Sequence, residues 1–279
     1  MADVLAACSN TKGERQLQEA PKPNVSAELP PSLRAQESLR FDPALYDLRG
    51  EAAKLLEHAG PLVGFGSFEG ASRELEDFTA SESVFSSFKY EKHWRQCVRE
   101  AEDFLVVYER LICEVVCPRL KELVSEEASQ TTFFYQFPPT LRLQPGPSEQ
   151  YRRVHRDAEY GHQDGEVNFW MPLTDPAAPC FRASQPRPWP SSGADVGAKT
   201  KVTLWVESGP DVGDFKPFEL DYGCIGMFHG TMCRHSVPAN ESPFTRVSMD
   251  FRIGIGRCFD DAWTLKGIPH VHGRRRCVL

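Results

Sequence analysis

PFTRVSMDFRIG, residues 243 to 254, alternates strictly between two kinds of side chain. Val247, Met249, Phe251 and Ile253 fall on one side of an extended chain, and Arg246, Ser248, Asp250 and Arg252 fall on the other, because successive side chains of a strand point to opposite faces. A strand with one apolar and one charged face either borders water or lines a polar cavity. Runs of similar strand character fill the chain beyond Thr131: TTFFYQF, TLRLQ, YRRVH, EVNFWMPLT, VTLWVE, FKPFEL, CIGMFH and RHSV. Pro, Gly, Asn and Asp clusters separate them at short intervals, which predicts a β sandwich or barrel with helices buttressing one face.

The helices lie upstream. ALYDLRGEAAKLLEHAG, residues 44 to 60, carries Leu45, Leu48, Ala52, Leu55 and Leu56 at helical spacing and stops at Gly60. In residues 91 to 124, Trp94, Val98, Ala101, Leu105, Tyr108, Ile112, Val115 and Leu120 form an apolar stripe with a kink expected at Pro118. Residues 1 to 40 are rich in Pro, Ser, Glu, Gln and Lys without apolar periodicity and read as a disordered tail. The expected organisation is therefore a tail over 1–40 and one domain over 41–279. Within that domain 41–130 is helical, 131–258 is the β core and 259–279 is a C-terminal tail. A Pro-, Ser-, Ala- and Gly-rich insertion over 175–201, long for a compact domain, reads as a lid or an idle loop.

Composition narrows the function classes. The chain has 279 residues, 41% of them hydrophobic, so it can bury a sizeable core. Its formal charge of -7 comes with Lys and Arg scattered among acids, which leaves no basic face for nucleic acid or a membrane surface and favours a small-molecule substrate. The nine cysteines are an odd number and include no Cys-x-x-Cys, a pattern of buried thiols in a reducing compartment, so the cytoplasm is expected. The first sixteen residues lack the features of a signal peptide, and Cys277 in RRRCVL stands one position short of a prenylation box. Cys113 and Cys117 share a helix face but have no matching second pair, and read as core thiols. His270-x-His272 reads as part of a solvated basic terminus.

RRVHRDAEYGHQDGEVNFW, residues 152 to 170, contains His-x-Asp twice, as His155-Arg156-Asp157 and His162-Gln163-Asp164. One such pair alone means little, since eight His and 39 acids in this chain predict roughly one by chance. A third ligand is needed. A turn near residues 240 and 241 predicts a hairpin that sets His235 opposite Arg246 and beside Ser248, whereas His229 has no such partner. Two imidazoles and one carboxylate occupy one face of Fe(II) and leave three positions open, while an Arg and a Ser offer a planar charged fork and a hydroxyl to a dicarboxylate. His155-Arg156-Asp157 also spells a protein-kinase catalytic triplet, but the residue five places after the Asp is His162, not Asn, and no Asp-Phe-Gly follows.

His155-x-Asp157, a distal His235 and Arg246-x-Ser248 eleven residues later together resemble the Fe(II)/2-oxoglutarate-dependent oxygenases. HRDAEYGHQDGEVNFWMPLTDP, TLWVES, GDFKPFEL and PANESPFTRVSMDFR are similar to the streptomycin-biosynthesis StrG-like group, over residues 138 to 253 apart from the insertion. The resemblance implies a double-stranded β-helix, that is, a jelly roll, with Fe(II) held by His155, Asp157 and His235. It implies 2-oxoglutarate anchored by Arg246 and Ser248, O2 as oxidant, and hydroxylation of a small molecule as 2-oxoglutarate becomes succinate and carbon dioxide. His162 then orients a ligand or is structural. Asn168 and Trp170 share a strand face; if it is the interior, Asn168 borders the cosubstrate and Trp170 the substrate, with Arg142 a further substrate contact. Two alternatives belong to other classes: a catalytically silent jelly-roll binding module, and a cupin-like metal enzyme that ignores 2-oxoglutarate.

Overall fold

The computed structural model describes residues 22–59, 75, 88–124, 130–144, 153–175, 203–240, 245–263 and 273–279. The insertion beyond Asp175, the first 21 residues, and both His270 and His272 lie outside the described residues. The protein is mainly antiparallel β, with helices on one face of its larger sheet.

That sheet is built around the stretch that alternates so clearly. Strand β9 (Arg246–Ile255) pairs along one edge with β4 (Glu166–Pro172). Its other edge pairs first with β3 (Thr140–Gln144) and then with β2 (Thr132–Phe137). Beyond β4 come β7 (Cys224–Phe228) and β1 (Glu37–Arg40); beyond β2 comes β10 (Gly273–Val278). A second sheet has the order β6 (Lys216–Pro217), β5 (Trp205–Val206), β8 (His235–Ser236).

The two faces of β4 and β9 face two different cores. Val247, Met249, Phe251 and Ile253, with Val167, Phe169 and Met171, are fully buried in the core shared with the helices. Phe169 stacks on Phe251 with ring centroids 5.0 Å apart, and Tyr108 meets Phe251 edge-on at 5.5 Å. Burial of each such side chain contributes about 1.5–3 kcal/mol. On the opposite face, Trp170 and Phe228 join Leu204, Val206, Leu220 and Val237 in a second cluster beneath the small sheet. The polar residues of β9 lie on this inner side.

The helical layer comprises α1 (Pro31–Arg34), α2 (Leu48–Ala59), α3 (Phe88–Glu100), α4 (Glu102–Leu111), a π-helical turn (Ile112–Val116) and α5 (Cys117–Val124). Pro118 has no N–H to give and its ring crowds the preceding turn, and the helix widens into the π turn just before it. The wider turn advances the buried face by one position: Val116 is fully buried where the regular stripe had Val115. Helix α2 starts at Leu48, three residues later than its apolar spacing suggested, because Asp47 Oδ1 accepts from Gly50 N at 2.8 Å and caps it. Leu45 is left exposed. Polar hooks help tie the helices to the sheet: Trp94 Nε1 donates to Leu141 O at 2.9 Å, and Tyr108 Oη to Gln136 O at 2.7 Å.

Three sequence expectations are corrected. The disordered tail does not extend to residue 40: Leu29, Leu33 and Leu39 are buried, and β1 pairs with β7, so three spaced leucines suffice where no periodicity showed. The C-terminal tail is a strand over 273–278: β10 pairs with β2 while Gly273, Arg275, Arg276 and Val278 stay exposed, and its arginines find acids, Arg274 on Glu166, Arg275 on Glu109 and Arg276 on Asp261. The hairpin joining His235 to Arg246 is absent: β8 pairs with β5, while Gln144 stands opposite Arg246. The chain crosses from one sheet to the other between them. Cys113 and Cys117 are free thiols, Cys117 fully buried. No helix among the described residues is long and apolar enough to cross a membrane.

Candidate metal centre

His155 and His235 meet as an isolated antiparallel bridge between segments 80 residues apart in the chain. Two residues past His155, Asp157 opens a single 3-10 turn (Asp157–Tyr160), in which Glu159 Oε1 accepts from Arg156 N at 2.9 Å. Gly161 ends the turn at φ 83°, a left-handed conformation that glycine adopts without strain. The turn folds Asp157 back beneath both imidazoles. Asp157 Oδ1 lies 3.6 Å from His155 Nε2 and 3.6 Å from His235 Nε2, and one ligand atom from each of the three residues lies within 4.8 Å of the others.

Both rings are oriented from behind. His155 Nδ1 is 2.8 Å from Arg153 O, and His235 Nδ1 is 3.1 Å from Cys233 O. A carbonyl only accepts, so each Nδ1 carries a proton and each ring presents its Nε2 to Asp157. Burial, and then the neighbouring His235, push the His155 imidazole down to about 4, which keeps it neutral at physiological pH. Burial of Asp157 opposes its ionisation, but the Arg252 guanidinium and His235 outweigh it and hold the carboxyl well below the usual range. Two imidazole nitrogens and one ionised carboxylate are a donor set that fits Fe(II).

The second His-x-Asp pair diverges. His162 Nδ1 contacts Glu166 Oε2 at 2.9 Å, while Asp164 Oδ1 lies 3.1 Å from His229 Nε2. Glu166, fully buried, also accepts from Arg274 at 2.9 Å, so His162 belongs to a structural network behind the centre.

Beside the histidines is a pocket, partly open to solvent, whose walls include Arg142, Trp170, Leu204, Phe228, Val237 and Asp250. Arg142 is ion-paired with Asp250. Trp170 Nε1 is buried with no hydrogen-bond partner among the described residues. Asn168 also lines the cavity, but its amide is committed to Asp157 Oδ2 at 2.5 Å and to Gly230 N at 3.1 Å. Asn168 therefore both lines the cavity and holds Asp157. Arg246 and Ser248 are buried on the same face of β9 as Asp250, though not among the residues lining this cavity. Arg246 Nε donates to Gln144 Oε1 at 2.8 Å, and Ser248 Oγ is buried with no hydrogen-bond partner among the described residues. Sequence reasoning passed over Arg252, Asp250 and Gly230. The alternation of β9 carried a signal for the first two, since it set two further charges on the polar face.

No family model matches the chain. A stretch of 114 residues is 31% identical to the streptomycin biosynthesis protein StrG of Streptomyces griseus, covering 41% of this chain and 43% of that protein, so the match spans less than half of that relative. Among solved structures, similarity extends to the non-heme monooxygenase ThoJ in a nickel complex (14% identity, 82% of this chain and 78% of that one, TM-score 0.39). It extends also to the non-heme alpha ketoglutarate dependent epimerase SnoN from nogalamycin biosynthesis (13%, 79% and 78%, 0.40) and carbocyclase SnoK from the same biosynthesis (11%, 84% and 87%, 0.40). These structural likenesses are remote.

Proposed function

We propose that the protein is a non-haem Fe(II)- and 2-oxoglutarate-dependent oxygenase that hydroxylates a small molecule, with His155, Asp157 and His235 as the metal ligands. The observation that carries this reading is the convergence of two pre-oriented Nε2 atoms on one oxygen of a buried, ionised carboxylate. Bound Fe(II) would supply dioxygen activation, with 2-oxoglutarate as the reductant that leaves as succinate and carbon dioxide.

The chain's own residues would bind, orient and exclude water. The orphaned hydroxyl of Ser248 supports a carboxylate anchor formed with Arg246. Trp170, Leu204, Phe228 and Val237 give the cavity an apolar wall that sheds water, while the Arg142–Asp250 pair and the Trp170 indole, without a partner among the described residues, give it polar contacts for a substrate. The inner cluster that joins the small sheet to β4 and β7 supports the jelly roll, and the 31% identical stretch supports a place in the StrG-like group.

The test is an anaerobic titration of the protein with Fe(II) and 2-oxoglutarate, read by visible absorption. An iron-to-2-oxo-acid charge-transfer band is expected in the wild type. His155→Ala should abolish it, and Arg246→Ala should demand roughly tenfold or more cosubstrate, the scale of one lost charge-assisted bond. Folded, iron-loaded protein without a band would refute the use of 2-oxoglutarate.

A further inference from the structure

Only one of the two carboxylate oxygens of Asp157 faces the histidines. Oδ1 is the atom 3.6 Å from both Nε2. Oδ2 accepts from Asn168 Nδ2 at 2.5 Å and from Arg252 Nε at 2.6 Å. Each donor is itself held. Gly230 N donates to Asn168 Oδ1 at 3.1 Å, and Gly230 O accepts from Asp157 N at 2.9 Å, closing a loop of three residues. Arg252 Nη1 reaches Gln136 Oε1 at 3.3 Å and Asp250 Oδ1 at 3.7 Å, which fixes the guanidinium plane. A Cβ at 230 would fall 2.6 Å from Asn168 Cγ, so any residue larger than glycine there must displace that amide.

We propose that Arg252 and Asn168 are positioning residues that restrict Asp157 to one-oxygen ligation and so keep an extra coordination position open at the metal centre. The inference rests on the reading of His155, Asp157 and His235 as ligands. Carboxylates bind metal ions through one oxygen or two. Two imidazoles and one oxygen leave three positions of an octahedral ion open, whereas a second oxygen leaves two. A two-point cosubstrate and dioxygen together need three. Oδ2 is therefore the atom whose freedom would close the site, and it receives two short hydrogen bonds, one from a cation. The same cation makes Asp157 a weaker donor, so the arrangement trades metal affinity for vacancy.

Mn(II) is a suitable probe, because the water-proton relaxivity of its bound form counts solvent-exchangeable positions without turnover. The full chain, Arg252→Met and Gly230→Ala would each be titrated with Mn(II), with affinity followed by calorimetry. In Arg252→Met, relaxivity per bound Mn(II) should fall by about a third, as three open positions become two, with Mn(II) bound at least as tightly as in the wild type. Gly230→Ala displaces Asn168 while keeping the Arg252 charge, so it should show a smaller fall and decides the matter if Arg252→Met does not fold. Unchanged relaxivity in the folded variants, or loss of their Mn(II) binding, would overturn the positioning role while leaving the metal centre standing. Folded wild type that binds no Mn(II) would overturn the metal centre, and this inference with it.

Discussion

His155 and His235 exchange both of their backbone hydrogen bonds, His155 N to His235 O at 3.2 Å and His235 N to His155 O at 2.9 Å. The two proposed ligands are thus registered by main chain, not by their rings. Removing one ring should therefore disable metal binding without unfastening the segments. His155→Ala is expected to lower divalent-metal affinity by roughly 100-fold or more, beyond the range of losing a ligand's supporting contact. Calorimetry would measure the affinity, and circular dichroism should show no change in β content.

Glu166 predicts an acid limb. Burial opposes its ionisation, but Arg274 and His162 overcome that and bring its carboxyl from 4.5 down to about 2. The folded value lies below the unfolded one, so the unfolded chain takes up the proton first as pH falls. The stabilisation is complete above about pH 4.5 and fades as pH drops toward 2. Glu166→Gln should cost about 3–5 kcal/mol at neutral pH, the range for a broken buried pair. Urea melts across the acid range should show wild type and variant converging below pH 4.5; a difference that stays constant would rule out the ionic origin.

Gly226 carries the ring of Phe218 on its bare backbone: a Cβ there would fall 1.5 Å from Phe218 Cε1. Gly226→Ala should destabilise by about 1–3 kcal/mol through overpacking. In a Phe218→Leu background the same change should cost less, and thermal melts of the four-member cycle would measure the coupling.

Leu33→Ala tests whether the segment before residue 41 belongs to the fold. Leu33 is fully buried in the helical core, so the loss should be about 2–5 kcal/mol by denaturant midpoint. A dispensable tail would lose nothing.

Strand β9 was legible because a period of two with one charged face admits a single reading, and the polar face it assigned to Arg246, Ser248, Asp250 and Arg252 is the inner one. His155, Asp157 and His235 were legible as residue types with a spacing. The partner of His235 was not, since hairpin logic uses only neighbours along the chain, and the bridge to His155 is a contact between two distant segments. Strands β1 and β10 were hidden for a related reason. ESLR and GRRRCV have too few apolar residues to advertise an edge strand, and the acids that accept the arginines of β10 lie far off in sequence. The commitment of Asn168 to Asp157 was equally invisible, being set by the backbone of Gly230.

Strand β9 also dictates timing. It hydrogen-bonds to β4, β3 and β2, yet it is made more than 70 residues after the last of them. On the ribosome those three strands emerge with no central strand to join them. Such late, non-local closure makes for slow folding and an aggregation-prone interval, so the sheet should assemble only once β9 has emerged.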